Sequence, residues 1–315
     1  MKTELIKPTE AGLKICAEAI RRGETVAFPT ETVYGLGANG LDSSAVKRIF
    51  EAKGRPQTNP LTLHVCSLDQ IESVAFLDDR AYKLIQRFMP GPITLILKKK
   101  DIVPSETVAG GQTVGVRMPA SEIALKFISL SSVPIAAPSA NSSGRPSPTS
   151  AEHVLSDLGG KIPFIIDGGE CELGLESTIV DLSGKQTKIL RLGCISASEI
   201  KRAVGKVSVE SVPLDPTKIP EGFTPKVKIA FVPLSFKQKA ATQKALNDEL
   251  LAGRRARIIE KRPSDEYAKV LFDEIRAAES DGFDTLIVQG VKNKGLGAAI
   301  NSRIIKLSIT SKGKR

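Results

Sequence analysis

The chain has no tryptophan, three tyrosines and only 4% aromatic residues, which leaves little to stack on exposed nucleobases. Its four cysteines, Cys16, Cys66, Cys171 and Cys194, are widely scattered without a CxxC pair. That spacing argues against a zinc site or a disulfide frame and for reduced, mostly buried thiols. No run of about 18 apolar residues occurs, and residues 1–10 lack the basic-then-apolar order of an export signal. The expectation is a soluble, cytoplasmic protein without a membrane partner. Also missing are GxxxxGK(S/T), GxSxG and HExxH, so P-loop, hydrolase-elbow and zinc-peptidase mechanisms find no support.

What is there suits two folded cores. The 315 residues exceed one average domain, and 41% hydrophobic with 25% charged residues is ordinary globular usage. The net charge of +10 is uneven: residues 207–315 hold 20 Lys+Arg against 13 Asp+Glu, a surplus of +7. With so few aromatics beside it, this surplus reads as a solvated basic face more readily than as a nucleic-acid groove.

Along the chain, a helix is expected at 9–22, a strand at 25–28, a helix at 43–53, a strand at 61–65, a helix at 79–88 and a strand at 93–97. Further strands are expected at 114–117, 135–137, 164–167, 177–182 and 187–192, with helices at 121–130 and 150–158, which makes a mixed α/β domain. Pro213, Pro216, Pro220 and Pro225 with Gly222 break the pattern, so 207–225 reads as a linker. Strands then alternate with helices again, the signature of a small parallel sheet. The expected domains are 1–206, the linker 207–225, and 226–315. Gly295 and Gly297 precede the last helix, where they could cradle phosphate or simply make a tight turn.

Five polar segments share one chemical character. In FPTETVYGLGAN, Thr30, Thr32 and Tyr34 carry hydroxyls, while Gly35 and Gly37 permit close backbone approach. In KGRPQTNP, Lys53 and Arg55 flank a glycine with Asn59 behind; they make either a polyphosphate clamp or a solvated helix end. His64 lies in the apolar run LTLHV, where a satisfied core histidine is the default. In GVRMP, Arg117 follows a short apolar strand, and burial there demands an anion, from a ligand carboxylate or an internal Asp or Glu. In APSANSSGRPSPT, Ser139, Asn141, Ser142, Ser143, Ser147 and Thr149 make either an anion nest or a flexible linker. GLESTIVDL and ILRLG add Ser177, Thr178 and Arg191. Such a set positions anions, which favours phosphoryl or nucleotidyl transfer.

In this order and spacing, FPTETVYGLG, KGRP with NPL and HV, PGPITLIL, GVRMP, APSANSSG and ESTIVD resemble the YrdC-like family of threonylcarbamoyl-AMP synthases. The resemblance covers residues 5–205, and the ending GLGAAINSRI is similar to the C-terminal domain of the two-domain members. It implies an open twisted mixed sheet with helices around a concave basic cavity, joined to a smaller Rossmann-like parallel-sheet domain. It also implies a nucleotidyltransferase using L-threonine, bicarbonate or CO2 and ATP, with Mg²⁺, for the threonylcarbamoyladenosine modification of tRNA. A threonylcarbamoyl-transferase complex would act downstream, and a weak tRNA or RNA contact would fit. Carried over by position, Thr32, His64, Arg117, Ala137 and Ser177 stand on the threonine side. Arg55, Asn59, Thr113, Ser139, Ser147 and Arg191 stand on the ATP side, and Lys53 and Arg55 are the expected catalytic cations. The resemblance is broken at one point: two-domain members carry a tyrosine-containing linker motif that reaches the nucleotide, whereas the tyrosines here are Tyr34, Tyr82 and Tyr267. Two rival readings are a non-catalytic RNA-binding module of the same fold and a carbamoyl-transfer enzyme of hydrogenase maturation. The second would need paired CxxC motifs, which are absent.

Overall fold

A computed structural model describes residues 1–210 and 224–311. It divides into two compact units, Met1–Ser143 with Ser147–Glu210, and Gly144–Pro146 with Ser211–Arg315. The prolines and Gly222 expected in the linker, apart from Pro225, lie outside the described residues. Val207–Val209, the start of that expected linker, is a strand of the first unit.

The first unit is built on one mixed sheet. Among the described residues its strands are β1 (Glu4–Ile6), β2 (Val26–Phe28), β3 (Gly35–Asn39), β4 (Thr62–His64), β5 (Ala75–Phe76), β6 (Ile93–Lys99), β7 (Thr113–Arg117), β8 (Ile135–Ala137), β9 (Phe164–Ile166), β10 (Thr178–Asp181), β11 (Thr187–Arg191) and β12 (Val207–Val209). Their spatial order is β1-β9-β2-β3-β8-β4-β7-β6-β10-β11-β12, with β5 alongside β6. Strands distant in sequence thereby become neighbours. β4 lies between β8 (antiparallel) and β7 (parallel), and β10 lies between β6 (parallel) and β11 (antiparallel).

Strand alternation then sorts the side chains. Leu36, Leu63, Leu95, Val116, Ala136, Val180 and Ile189 point to one face and join the main core, which also takes Ala45, Val46 and Ile49 of the helix Ser43–Lys53. The alternate positions point to the other face. Over β2 and β8 that second face is covered by helices Glu10–Arg21 and Glu122–Ser131, whose Leu13, Ala17, Ile20, Ala124, Phe127 and Ile128 pack on Phe28 and Ala137. Over β4, β7, β6, β10 and β11 it carries Thr62, His64, Arg117, Thr94, Ile179 and Arg191 instead, and these line a cavity.

Helix ends follow their local chemistry. Thr9 Oγ1 accepts from Gly12 N at the start of Glu10–Arg21. Asp42 caps Ser43–Lys53, and Gly54, at φ 60°, stops that helix in the left-handed conformation between Lys53 and Arg55. Six elements had no clear signal in the sequence pattern: β1, β3, β5, helix Leu68–Val74, helix Ala197–Val204 and β12.

Among the described residues the second unit holds three parallel strands, β13 (Lys228–Val232), β14 (Ala256–Ile259) and β15 (Thr285–Gln289), in the order β13-β15-β14. Helices Gln238–Leu251, Ser264–Ser280 and Leu296–Thr310 accompany them. Gly295 caps the last helix at φ 56°, and Gly297 is the second residue of that helix. A Cβ on Gly297 would stand 2.2 Å from Lys292 O, and Asn301 closes the turn through Val291 N (3.0 Å) and Val291 O (2.8 Å).

Gly37 has a packing role rather than the ligand-approach role expected of it. A Cβ there would meet Ile135 Cγ2 at 2.6 Å and Phe28 Cε1 at 2.9 Å, neither of them the free end of a flexible chain. Gly37→Ala is therefore expected to destabilise the fold by about 1–3 kcal/mol through overpacking, measured by denaturant unfolding. An unchanged midpoint would show that Phe28 and Ile135 can give way.

Candidate active site

The cavity has a volume of about 260 Å³. Its wall combines three arginines (Arg55, Arg117, Arg191), one carboxylate (Glu176) and the hydroxyl residues Thr30, Thr62, Thr94, Ser139 and Ser177. Strand register explains the assembly: His64 is level with Arg117, Thr62 with Ala137, and Ile179 with both Thr94 and Arg191. Gly115 is level with Thr62 and Ile96, and a Cβ there would come within 3.2–3.4 Å of Thr62, Ile96 and Thr94.

Arg117 is 5% exposed and meets an internal carboxylate: its Nη2 lies 2.8 Å from Glu31 Oε1. The same Nη2 donates to Thr32 Oγ1 at 2.8 Å and reaches Thr30 Oγ1 at 3.5 Å. Thr30 Oγ1 also accepts from Val33 N and donates to Val33 O (2.7 Å), so the turn that carries Glu31 is locked by its own hydroxyl. Of the two anionic partners left open for Arg117, the internal one is present in the fold itself. Thr32 is fully buried beneath Arg117 and is not among the residues that line the cavity.

His64 is at once a core residue and a wall residue. Its ring meets Phe28 edge-on at 5.7 Å and its Nδ1 lies 3.3 Å from Thr62 O. Burial, and then the Arg117 charge, push its pKa down to about 3, so the imidazole is neutral at ordinary pH. Arg191 donates to Ser177 O (2.9 Å) and to Ser177 Oγ (3.0 Å), and Thr94 Oγ1 lies 2.8 Å from the same hydroxyl. Ser177 is thus oriented from two sides.

The remaining expected site residues divide. Arg55, Ala137 and Ser139 line the cavity, whereas Lys53, Asn59, Thr113 and Ser147 do not. Thr113 starts β7 on the same face as Gly115 and Arg117, and Asn59 sits in the turn closed by its N–H to Pro56 O. Ser147 Oγ donates to Glu176 Oε1 at 3.0 Å and so fixes the wall's carboxylate.

Lys53 needs the largest correction. Expected as a phosphate-facing cation, it is 4% exposed and donates through Nζ to Ser139 O (2.6 Å) and to Asn141 O. Its own carbonyl accepts from Ser143 N (2.8 Å). Lys53 therefore ties the Ser/Asn loop to the helix end and acts through that loop. Burial first, then the neighbouring Arg55, lower its pKa to about 7.

Tyr34 lines the cavity, but its hydroxyl is turned to the backbone, donating to Gly169 O (2.7 Å) and accepting from Gly168 N (3.2 Å). Of the hydroxyls in the proposed nest, Ser142 Oγ is turned to Asp157 O. Glu31 and Glu176 were the residues overlooked. The available signal was a charged residue inside otherwise apolar, hydroxyl-rich motifs, PTET and GLEST.

A mixed sheet with an arginine-lined cavity on one face, together with a separate small parallel sheet, defines a two-domain α/β protein. Residues 18–193 match the Sua5/YciO/YrdC family, described as telomere recombination. Residues 191–307 match the family described as the threonylcarbamoyl-AMP synthase C-terminal domain. The chain belongs to the Sua5/YciO/YrdC family, in the two-domain Sua5 form. The threonylcarbamoyl-AMP synthase of Pyrococcus abyssi is 43% identical over 322 residues, covering 94% of each chain. That of Bacillus subtilis is 36% identical over 335 residues, covering 96% of this chain and 95% of its own. The crystal structure of P. abyssi Sua5 complexed with L-threonine superposes with a TM-score of 0.93 at 40% identity, covering 98% of this chain and 99% of the other.

The Lys53 contacts lead to a pH-dependent prediction. Its folded pKa lies below the ordinary lysine value of about 10.4, so between about pH 7 and 10 the unfolded chain binds the extra proton and stability rises with pH. The melting temperature of the parent minus that of Lys53→Met should therefore grow from pH 7 to pH 9. A constant difference would mean that Lys53 is not held in the buried state described.

Proposed function

We propose that the chain is a threonylcarbamoyl-AMP synthase, joining L-threonine, CO2 or bicarbonate and ATP and releasing pyrophosphate. The observation that carries this reading is one cavity walled by Arg55, Arg117 and Arg191 together with His64, Ser139 and Ser177. It matches a substrate pair with a carboxylate at one end and a triphosphate at the other. Arg117, His64, Ala137 and Ser177, with Thr32 behind Arg117, take the amino acid. Arg55, Asn59, Thr113, Ser139, Ser147 and Arg191 take the nucleotide.

In this mechanism the threonine ammonium loses a proton to solvent, its nitrogen forms a bond to the carbon of CO2, and loss of a second proton from that nitrogen to solvent gives the carbamate anion. A carbamate oxygen attacks the α-phosphorus of ATP. That oxygen–phosphorus bond forms as the bond to the bridging oxygen breaks, and pyrophosphate leaves. No protein nucleophile is required. Arg55 neutralises charge on the phosphates, and displacement of water by the bound substrates protects the labile carbamate. With so low a pKa, His64 is a poor proton acceptor and serves as a neutral hydrogen-bonding ring. Lys53 contributes by fixing the loop that presents Ser139.

Among the described residues no cluster of three His, Cys, Asp or Glu could cage a metal. Glu176 is the one carboxylate among the cavity-lining residues. This does not make a protein cage for Mg²⁺, and no step is routed through the ion. Magnesium fits the reading as a companion of the ATP phosphates.

The product would pass to a threonylcarbamoyl-transferase complex that modifies adenosine in tRNA, in the cytoplasm. No described helix is long and apolar enough to cross a membrane. Catalysis is assigned to residues 1–206, and residues 226–315 form the accompanying domain.

Pyrophosphate release with L-threonine, bicarbonate and ATP should require all three substrates. Arg55→Ala should lower kcat/KM by roughly 100-fold or more, the usual cost of losing one stabilising donor at a transferring group. Release at the parent rate by this variant would remove Arg55 from the phosphate site.

A further inference from the structure

Glu31 lies immediately behind Arg117. The two side chains are 5% and 6% exposed respectively, with Glu31 Oε1 2.8 Å from Arg117 Nη2. Distance and alignment disagree here: the charges are close, yet neither carboxylate oxygen of Glu31 makes an aligned hydrogen bond. The pairing is therefore mainly electrostatic. The backbone carbonyl of Glu31 is held by Leu173 N at 2.8 Å, and the residue is enclosed between Thr30 and Thr32, so its carboxylate has little freedom to turn away. Arg117 lines the cavity and Glu31 does not.

This arrangement has a consequence for what Arg117 can accept. At the amino-acid end Arg117 faces Glu31, Arg191 on Ser177 is accompanied by the neighbouring Glu176, and His64 is neutral, so the formal charge is already balanced. Charge left uncompensated in a buried site is costly. A ligand bringing a carboxylate alone would set two anions against one cation. A zwitterion brings its own cation and leaves the balance intact. If Arg117 had no internal partner, the preference would reverse, and a simple carboxylate would be the better match.

We propose that Glu31 is a specificity-determining residue which, acting through Arg117, makes this end of the cavity select an α-amino acid zwitterion over the hydroxy acid of the same shape. The proposal rests on the reading that Arg117 receives the substrate carboxylate. It gives a task to a buried acid that the reaction itself does not use. Glu31 is a positioning residue with respect to Arg117 and need not touch the substrate.

The test compares L-threonine with 2,3-dihydroxybutanoate, in which a hydroxyl replaces the amino group, by calorimetric titration of the full chain and of Glu31→Gln. In the parent protein threonine should bind much more tightly. In Glu31→Gln the hydroxy acid should bind roughly tenfold tighter or more, while threonine binds no better, a ratio change of at least about 1.4 kcal/mol. Equal changes for the two ligands would overturn the proposal and reduce Glu31 to an anchor. A second variant keeps the test decisive. Glu31→Asp retains the charge and should keep threonine strongly preferred over the hydroxy acid. A loss of preference in Glu31→Asp equal to that in Glu31→Gln would also overturn it. An Arg117→Lys variant with unaltered threonine affinity would instead refute the underlying placement of the substrate carboxylate, so the two failures are distinguishable.

Discussion

The buried contact between Arg117 and Glu31 is the constraint on which the site depends. A guanidinium this enclosed would be untenable without an anion, and the fold supplies one from the turn after β2. That turn is locked by Thr30, and Thr32 takes a further hydrogen bond from Arg117. Three consecutive residues of one loop therefore set the orientation of an arginine at the end of β7. The cavity is built around an arginine whose direction is fixed before any ligand arrives, the pre-organisation that catalysis by positioning requires.

Sheet order does the rest. Because β4 sits between β7 and β8, and β10 between β6 and β11, alternation along these short strands delivers His64, Arg117, Thr94 and Arg191 to one face while their neighbours fill the core. Two helices cover the same face over β2 and β8. The cavity lies along the rest of that face. This explains why its residues are polar where the strand pattern would otherwise have made them apolar.

Much of this was legible in the sequence. The hydroxyl-rich and basic segments stood out, Gly54 marked the helix stop beside Arg55, and the demand of Arg117 for an anion was clear from its apolar flanks. The destinations of individual polar atoms were not legible. Lys53 and Tyr34 look ligand-facing in their motifs, but the partners that absorb them, the carbonyls of Ser139 and Asn141 and the backbone at Gly168 and Gly169, lie about 86 to 135 positions away in sequence. Glu31 was overlooked for the converse reason. Its partner is 86 residues distant and arrives only through the β4-β7 pairing. Short elements such as β12 were missed because three residues carry too little periodicity to identify a strand.

The account stands most directly on where a substrate carboxylate settles, and a crystal of this protein soaked with L-threonine would show it. The expected result is a carboxylate about 3 Å from the Arg117 guanidinium, with the Arg117–Glu31 contact retained behind it and the amino group directed into the cavity. A carboxylate bound at Arg55 or Arg191 instead, with Arg117 engaged by Glu31 alone, would contradict it.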